Sequence, residues 1–200
     1  MILTKFVFVP EARGTFRALT NAQELHRDVQ RMFGTSRAEE SVLYRVVTSQ
    51  NEICLYVQSK SAPVWDPAHC GHLRMVYSRD FDEVIDSIIE RGWAPFNLMC
   101  YPSVRKCSSS DTPSNRTRIQ DYAGRVDWLR SRFERGGCEL MNYSESTQTN
   151  RVIRQGTQFD LNCSVVEGSM GITDPDAFRE MLKAGVGPEK AYGCGMLMVV

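Results

Sequence analysis

The sequence predicts an α+β chain of two tandem ferredoxin-like βαββαβ units, residues 1–94 and 95–200. Three observations predict it. The chain has 200 residues, 42% apolar and 24% charged, enough for one large or two small globular domains. In the first half, stretches with strand-like and helix-like apolar periods follow in the order β-α-β-β-α-β. The second half approximates the same order, although no repeat is visible in the sequence itself.

Residues 2–9 carry apolar side chains on both parities, as expected of a central strand covered on both faces. Thr20 or Asn21 can cap a helix running to about Phe33, with Ala22, Leu25, Val29, Met32 and Phe33 on its buried face and Gly34 ending it. Residues 42–48 and 53–58 read as a hairpin. Residues 59–80, with Pro63 and Pro67, read as a connecting loop. Asp80 can cap a helix over 81–90, and a strand near 95–101 closes the first unit. In the second half, residues 96–106 are strand-like and the polar stretch 107–117 is a loop. Helices over about 122–135 and from Thr173 or Asp174 through Lys183 alternate with strands near 138–143, 157–167 and 195–200.

No apolar run reaches the roughly 18 residues that a membrane span needs. The N-terminal apolar stretch stops at Pro10, too short for the core of a signal peptide. Seven cysteines without a C-x-x-C pair read as reduced thiols of a cytoplasmic protein. Acidic and basic residues balance at 24 each, but the charge is segregated. Residues 105–154 hold ten basic side chains against six acidic ones, and nine of the ten are Arg. Arginine suits bidentate phosphate contacts, so a local phosphate-binding face is compatible with a neutral total.

Four features could carry chemistry. His26 lies in the first-unit helix, where an imidazole could transfer protons near neutral pH or simply pack, and Arg31 lies five positions on. His69, Cys70 and His72 form a short cluster, but metal sites need three or four ligands and no second cluster stands at finger-like spacing. Gly185, Gly187, Gly193 and Gly195 punctuate a loop between a helix and a strand, which reads equally as a tight turn or as a phosphate-approaching loop. Arg105, Lys106, Arg116 and Arg118 flank the polar loop with few acidic neighbours, and Arg125 and Arg132 share a helix face.

Together these pieces resemble the CasE family of CRISPR-associated endoribonucleases, the RNA-processing subunits of type I-E Cascade. The resemblance runs through Asn21–Ala22–Gln23–Glu24–Leu25–His26, Leu43–Tyr44–Arg45, Leu55–Tyr56–Val57–Gln58–Ser59, Phe96–Asn97–Leu98 and Trp128–Leu129. Its most specific part is the end of the chain: Gly168, Thr173–Asp174–Pro175, Phe178, Gly185–Val186–Gly187 and Lys190–Ala191–Tyr192–Gly193–Cys194–Gly195.

The resemblance implies RRM-like domains and metal-independent cleavage of CRISPR repeat hairpins in precursor RNA, without a cofactor. His26 matches the family's catalytic histidine, with Arg31 and Gln23 in the catalytic set. Some members carry Tyr where Gln23 stands; glutamine can hydrogen-bond but supplies no phenol. The products would be a 2′,3′-cyclic phosphate and a 5′-OH. The RNA hairpin would be held by Arg105, Lys106, Arg116, Arg118, Arg125, Arg132 and Lys190 and by the backbone at Gly185, Gly187, Gly193 and Gly195. Implied partners are the CRISPR repeat RNA and other Cascade subunits, with target DNA met only through the complex and no membrane. Two other readings remain: a hairpin-binding subunit without catalysis, and a metal-binding protein built on His69, Cys70 and His72.

Overall fold

The computed structural model describes residues 1–34, 36, 39–105 and 116–199. Two four-stranded antiparallel sheets organise the chain, each with helices between its strands. The first sheet holds β1 (Ile2–Phe8), β2 (Leu43–Thr48), β3 (Ile53–Ser59) and β4 (Leu73–Asp80), in the spatial order β2-β3-β1-β4. Between β1 and β2 run α1 (Arg13–Thr20) and α2 (Ala22–Arg31), and between β3 and β4 the one-turn α3 (Pro67–Cys70). After α4 (Asp82–Arg91), the second sheet takes β5 (Trp93–Cys100), β8 (Cys138–Arg154), β9 (Thr157–Ile172) and β10 (Leu197–Val199), in the order β10-β5-β9-β8. The small β6 (Ser103–Arg105) and β7 (Arg116–Arg118) pair separately, and α5 (Tyr122–Arg135) and α6 (Pro175–Ala184) complete the second unit. In both sheets the first strand stands between the fourth and the third, the ferredoxin-like arrangement.

Local chemistry sets several element ends. The Asn21 side chain accepts from Gln23 N at 3.1 Å and caps α2, and Asp174 accepts from Asp176 N and Ala177 N at 3.0 and 3.1 Å before Pro175 opens α6. Gly92, with φ +77°, ends α4 in the left-handed region.

Three expectations are corrected. Residues 73–80 form β4, the fourth strand of the first sheet, rather than loop. Leu73 is buried and Met75 and Tyr77 are half-buried while Arg74, Val76 and Ser78 face out, the alternation of a strand with one wet face. The strand expected to close the first unit near 95–101 is instead β5, which pairs with β9 and β10 and starts the second sheet. The helix read as part of the first unit, α4, accordingly packs Ile85 and Ile88 with Phe96, Leu98 and Phe178 of the second core. The strands expected near 138–143 and 157–167 are one hairpin, β8–β9, that continues far beyond the sheet to a turn at Gln155 and Gly156.

The first core gathers Phe6, Phe8, Leu25, Val29, Tyr44 and Leu55. A third cluster, Met99, Val152, Leu161, Cys163, Tyr192 and Cys194, lies beneath the long hairpin and packs against Ala22 of α2. It joins the two units at the helix that carries His26. The six described cysteines are buried and free, and Cys163 and Cys194 stand Sγ to Sγ at 3.4 Å. No described helix is long and apolar enough to cross a membrane.

Candidate nucleic-acid interface and active site

The helix α2 buries Leu25 and Val29 in the first core and leaves Gln23 and His26 half-buried, three residues apart and so neighbours on one face. The second unit grips its N-terminus. Asn21 donates through Nδ2 to Ile153 O at 3.3 Å and accepts from Ile153 N at 3.0 Å, so one asparagine both caps α2 and pairs with the hairpin backbone. Tyr192 donates its hydroxyl to Gln23 Oε1 at 3.4 Å. Tyr192 ends a single 3-10 turn, Lys190–Tyr192, which Tyr44 of β2 holds from below through a hydrogen bond to Ala191 O.

The other end of that turn faces a cleft of about 500 Å³. Arg105 and Arg116 of the paired strands β6 and β7, Arg132 of α5, and Gly185, Gly187 and Lys190 of the glycine-rich loop all line it, with Ser103, Pro188 and Glu189. Four cations on three separate segments thus converge on one concavity. Burial, and then the neighbouring Arg135 and Arg116, push the Arg132 guanidinium below its ordinary proton affinity. Like charges pressed together in this way favour an anion between them. Trp128 packs beside Arg132, whose guanidinium carbon lies 5.3 Å from the ring centroid. Gly187 is required there: its φ is +81°, and a Cβ would stand 2.7 Å from Trp128 Cη2.

A family model described as CRISPR associated protein matches residues 1–200. The chain belongs to that CRISPR-associated family. The CRISPR-associated endoribonuclease Cse3 of Thermus thermophilus is 25% identical over 216 residues, covering 100% of this chain and 99% of the relative. A solved CRISPR endoribonuclease Cse3 bound to a 19-nucleotide RNA superposes with TM-score 0.83 at 25% identity, over 100% of both chains. A chain of a CRISPR RNA-guided surveillance complex superposes with TM-score 0.66 at 25% identity, over 100% of this chain and 99% of the other. The CasE resemblance therefore spans the whole chain.

Within this CRISPR-associated chain the remaining candidates lie apart from the cleft. Arg31 ends α2 about 140° around the helix from His26, and its Nη1 lies 3.1 Å from Oδ1 of the fully buried Asp28. Arg125 is engaged at 2.8 Å with Glu145, whose bond raises the guanidinium's proton affinity, and it also donates to Gln120 O. Arg118 is half-buried, with its Nε lacking a hydrogen-bond partner. Gly193 and Gly195 are buried; Gly195 donates to Met99 O and accepts from Val186 N, at 2.7 and 2.8 Å, so both its backbone groups are committed within the fold. Lys106 lies outside the described residues.

The cluster of His69, Cys70 and His72 is pulled apart. His69 is exposed against Asp66, whereas His72 is buried with Nε2 3.1 Å from Asp28 Oδ2, an ion-pair distance without hydrogen-bond alignment. Among the described residues no group of three His, Cys, Asp or Glu side chains is placed to hold a metal ion. Sequence reasoning missed Asp28 and Tyr192. Asp28 was within reach, three residues before Arg31 on one helix. Tyr192 stood inside the glycine-rich run, and nothing in the sequence pairs it with Gln23.

Proposed function

We propose that the chain is an endoribonuclease that cuts CRISPR repeat hairpins in precursor RNA and stays bound to the product hairpin within a Cascade-type complex in the cytoplasm. One observation carries this reading. A single 3-10 turn lines the arginine cleft through Lys190 and touches α2 through Tyr192, next to Gln23 and one helical turn from His26. An RNA stem held by its phosphates in the cleft thereby lies beside the one half-buried histidine of α2. In this reading the unit 1–94 carries the catalytic histidine, and the unit 95–200 carries the basic hairpin and the glycine-rich loop. The relatives support it: Cse3 is named an endoribonuclease, one Cse3 structure holds RNA, and another similar chain belongs to an RNA-guided complex.

The proposed reaction is an internal transfer without metal. The ribose 2′-oxygen bonds to the adjacent phosphorus, the bond from phosphorus to the 5′-oxygen breaks, and the proton lost at the 2′-oxygen is balanced by one gained at the 5′-oxygen. The products are a 2′,3′-cyclic phosphate and a 5′-OH. His26 takes the first proton or supplies the second, help worth about 10²–10⁴-fold. Arg105, Arg116, Arg132 and Lys190, with the backbone at Gly185 and Gly187, hold the stem. Arg31, anchored on Asp28, supplies positive charge near the end of the helix.

The test is cleavage of the repeat hairpin encoded beside this gene, with excess protein and EDTA present. We expect His26→Ala to lose cleavage while binding the hairpin within a few-fold of wild type. Full cleavage by His26→Ala refutes the role. Binding without product over hours, even by wild type, reassigns the chain to a hairpin-holding subunit, a reading favoured by Glu189 inside the cleft.

A further inference from the structure

We infer that Tyr192 is a positioning residue for the cleavage step: its hydroxyl fixes the Gln23 side-chain amide so that the NH2 group faces the scissile linkage beside His26. The inference rests on the nuclease reading above and deepens it.

Three elements fix the phenol itself. Its backbone carbonyl accepts from Asn150 Nδ2 of β8 at 3.0 Å. Its ring meets Phe159 of β9 edge to face, with centroids 6.2 Å apart. The residue is only 9% exposed, packed with Met99, Leu161 and Cys194. From this rigid seat the hydroxyl reaches across the seam between the two units to Gln23 Oε1.

The chemistry of the amide gives the bond its consequence. A glutamine side chain offers an acceptor oxygen on one side and two N–H donors on the other. A phenol O–H aimed at the oxygen fixes which is which, and the NH2 group is turned away from Tyr192. Gln23 and His26 are neighbours on one face of α2, so an amide donor turned away from Tyr192 is available on the face that carries the imidazole. A neutral N–H donor at a phosphate undergoing in-line attack stabilises the charge that gathers on its non-bridging oxygens. Without the tyrosine hydroxyl the amide can turn over and present its oxygen, which repels the phosphate. The role belongs to Tyr192 through Gln23, the group to which its hydroxyl is bonded.

The experiment compares wild type, Tyr192→Phe, Gln23→Ala, the double variant and His26→Ala, each for single-turnover cleavage of the repeat hairpin, hairpin affinity and melting temperature. Tyr192→Phe keeps the ring against Phe159 and the carbonyl that Asn150 uses, so the fold is retained. We expect its cleavage rate to fall about three- to tenfold, the range of one hydrogen bond, with affinity within twofold of wild type. Gln23→Ala falls at least as far, and adding Tyr192→Phe to it changes nothing further, because the phenol has no amide left to orient. A Tyr192→Phe rate within twofold of wild type overturns the inference. So does a loss that recurs undiminished in the Gln23→Ala background, or one accompanied by weaker binding and a lower melting temperature, which marks a packing role. If wild type makes no product, or His26→Ala cleaves as well as wild type, the nuclease reading fails and takes this inference with it. If those controls behave and only the tyrosine series fails, the nuclease reading stands alone.

Discussion

Replacing Arg116 and Arg132 together by glutamine is the sharpest test of the cleft as a phosphate-binding surface. Both side chains line it, and each pushes against the other: Arg116 is among the charges that depress the Arg132 proton affinity. In the free protein the two charges repel each other while Arg132 also packs on Trp128, so removing both leaves the melting temperature near that of wild type. In the complex each arginine neutralises backbone phosphate and releases counterions. For a regular duplex each such contact contributes about 0.9 to the slope of log affinity against log salt, so losing two lowers that slope by about 1.8. Over a fourfold rise, from about 50 to about 200 mM salt, the variant's affinity therefore falls roughly twelvefold less than that of wild type. Fluorescence anisotropy of a labelled hairpin at four or five salt concentrations reads the slope, and a thermal melt reads the stability. An unchanged slope, with the affinity loss equal at every salt concentration, would show that these arginines do not meet phosphate. A fall in melting temperature of several degrees would show that they are structural.

Two further predictions concern the supports of the site. Asp28→Ala should cost about 1–3 kcal/mol, because it removes a fully buried carboxylate that accepts from Arg31 and stands 3.1 Å from the buried His72 ring nitrogen; chemical denaturation measures the loss, and stability equal to wild type would refute the supporting role of Asp28. Burial by itself pushes the Glu145 carboxyl up, but the bonds from Arg125 and Ser164 outweigh it and hold the carboxyl below its ordinary range. A depressed carboxyl stabilises the fold above the unfolded value of about 4.3 and loses that contribution as pH falls through the folded value. Glu145→Gln should therefore be less stable than wild type near neutrality, with the gap closing below about pH 4; a gap independent of pH in urea melts refutes this.

The local signals in the chain were sound wherever one segment settled its own structure. Asn21 and Asp174 mark helix starts because their side chains bond amides two or three residues on, and Gly92 marks an end because it alone there takes a positive φ without cost. The hairpin of β2 and β3 and the helices α5 and α6 follow from apolar period and caps in the same way. The strand β4 also alternates, but two prolines upstream and its charged outer face read as loop; only its pairing with β1 establishes it. The sequence of β5 says strand and says nothing of its neighbours, so only its pairing with β9 and β10 assigns it to the second sheet.

The same division holds at the site. The sequence determined which residues could do chemistry: a helical histidine, an arginine-rich stretch, and a glycine loop whose turns demand left-handed backbone. Tertiary structure alone decided which of them meet. It brought Arg105, Arg116, Arg132 and Lys190 to one cleft, turned Arg125 aside to Glu145, closed Gly195 into the fold, and set Tyr192 against Gln23 from 169 residues away. The physical reason is range. Caps, turns and periodicity act within a few residues, whereas a charged cleft and a cross-unit hydrogen bond form only after both sheets have packed on their shared cluster.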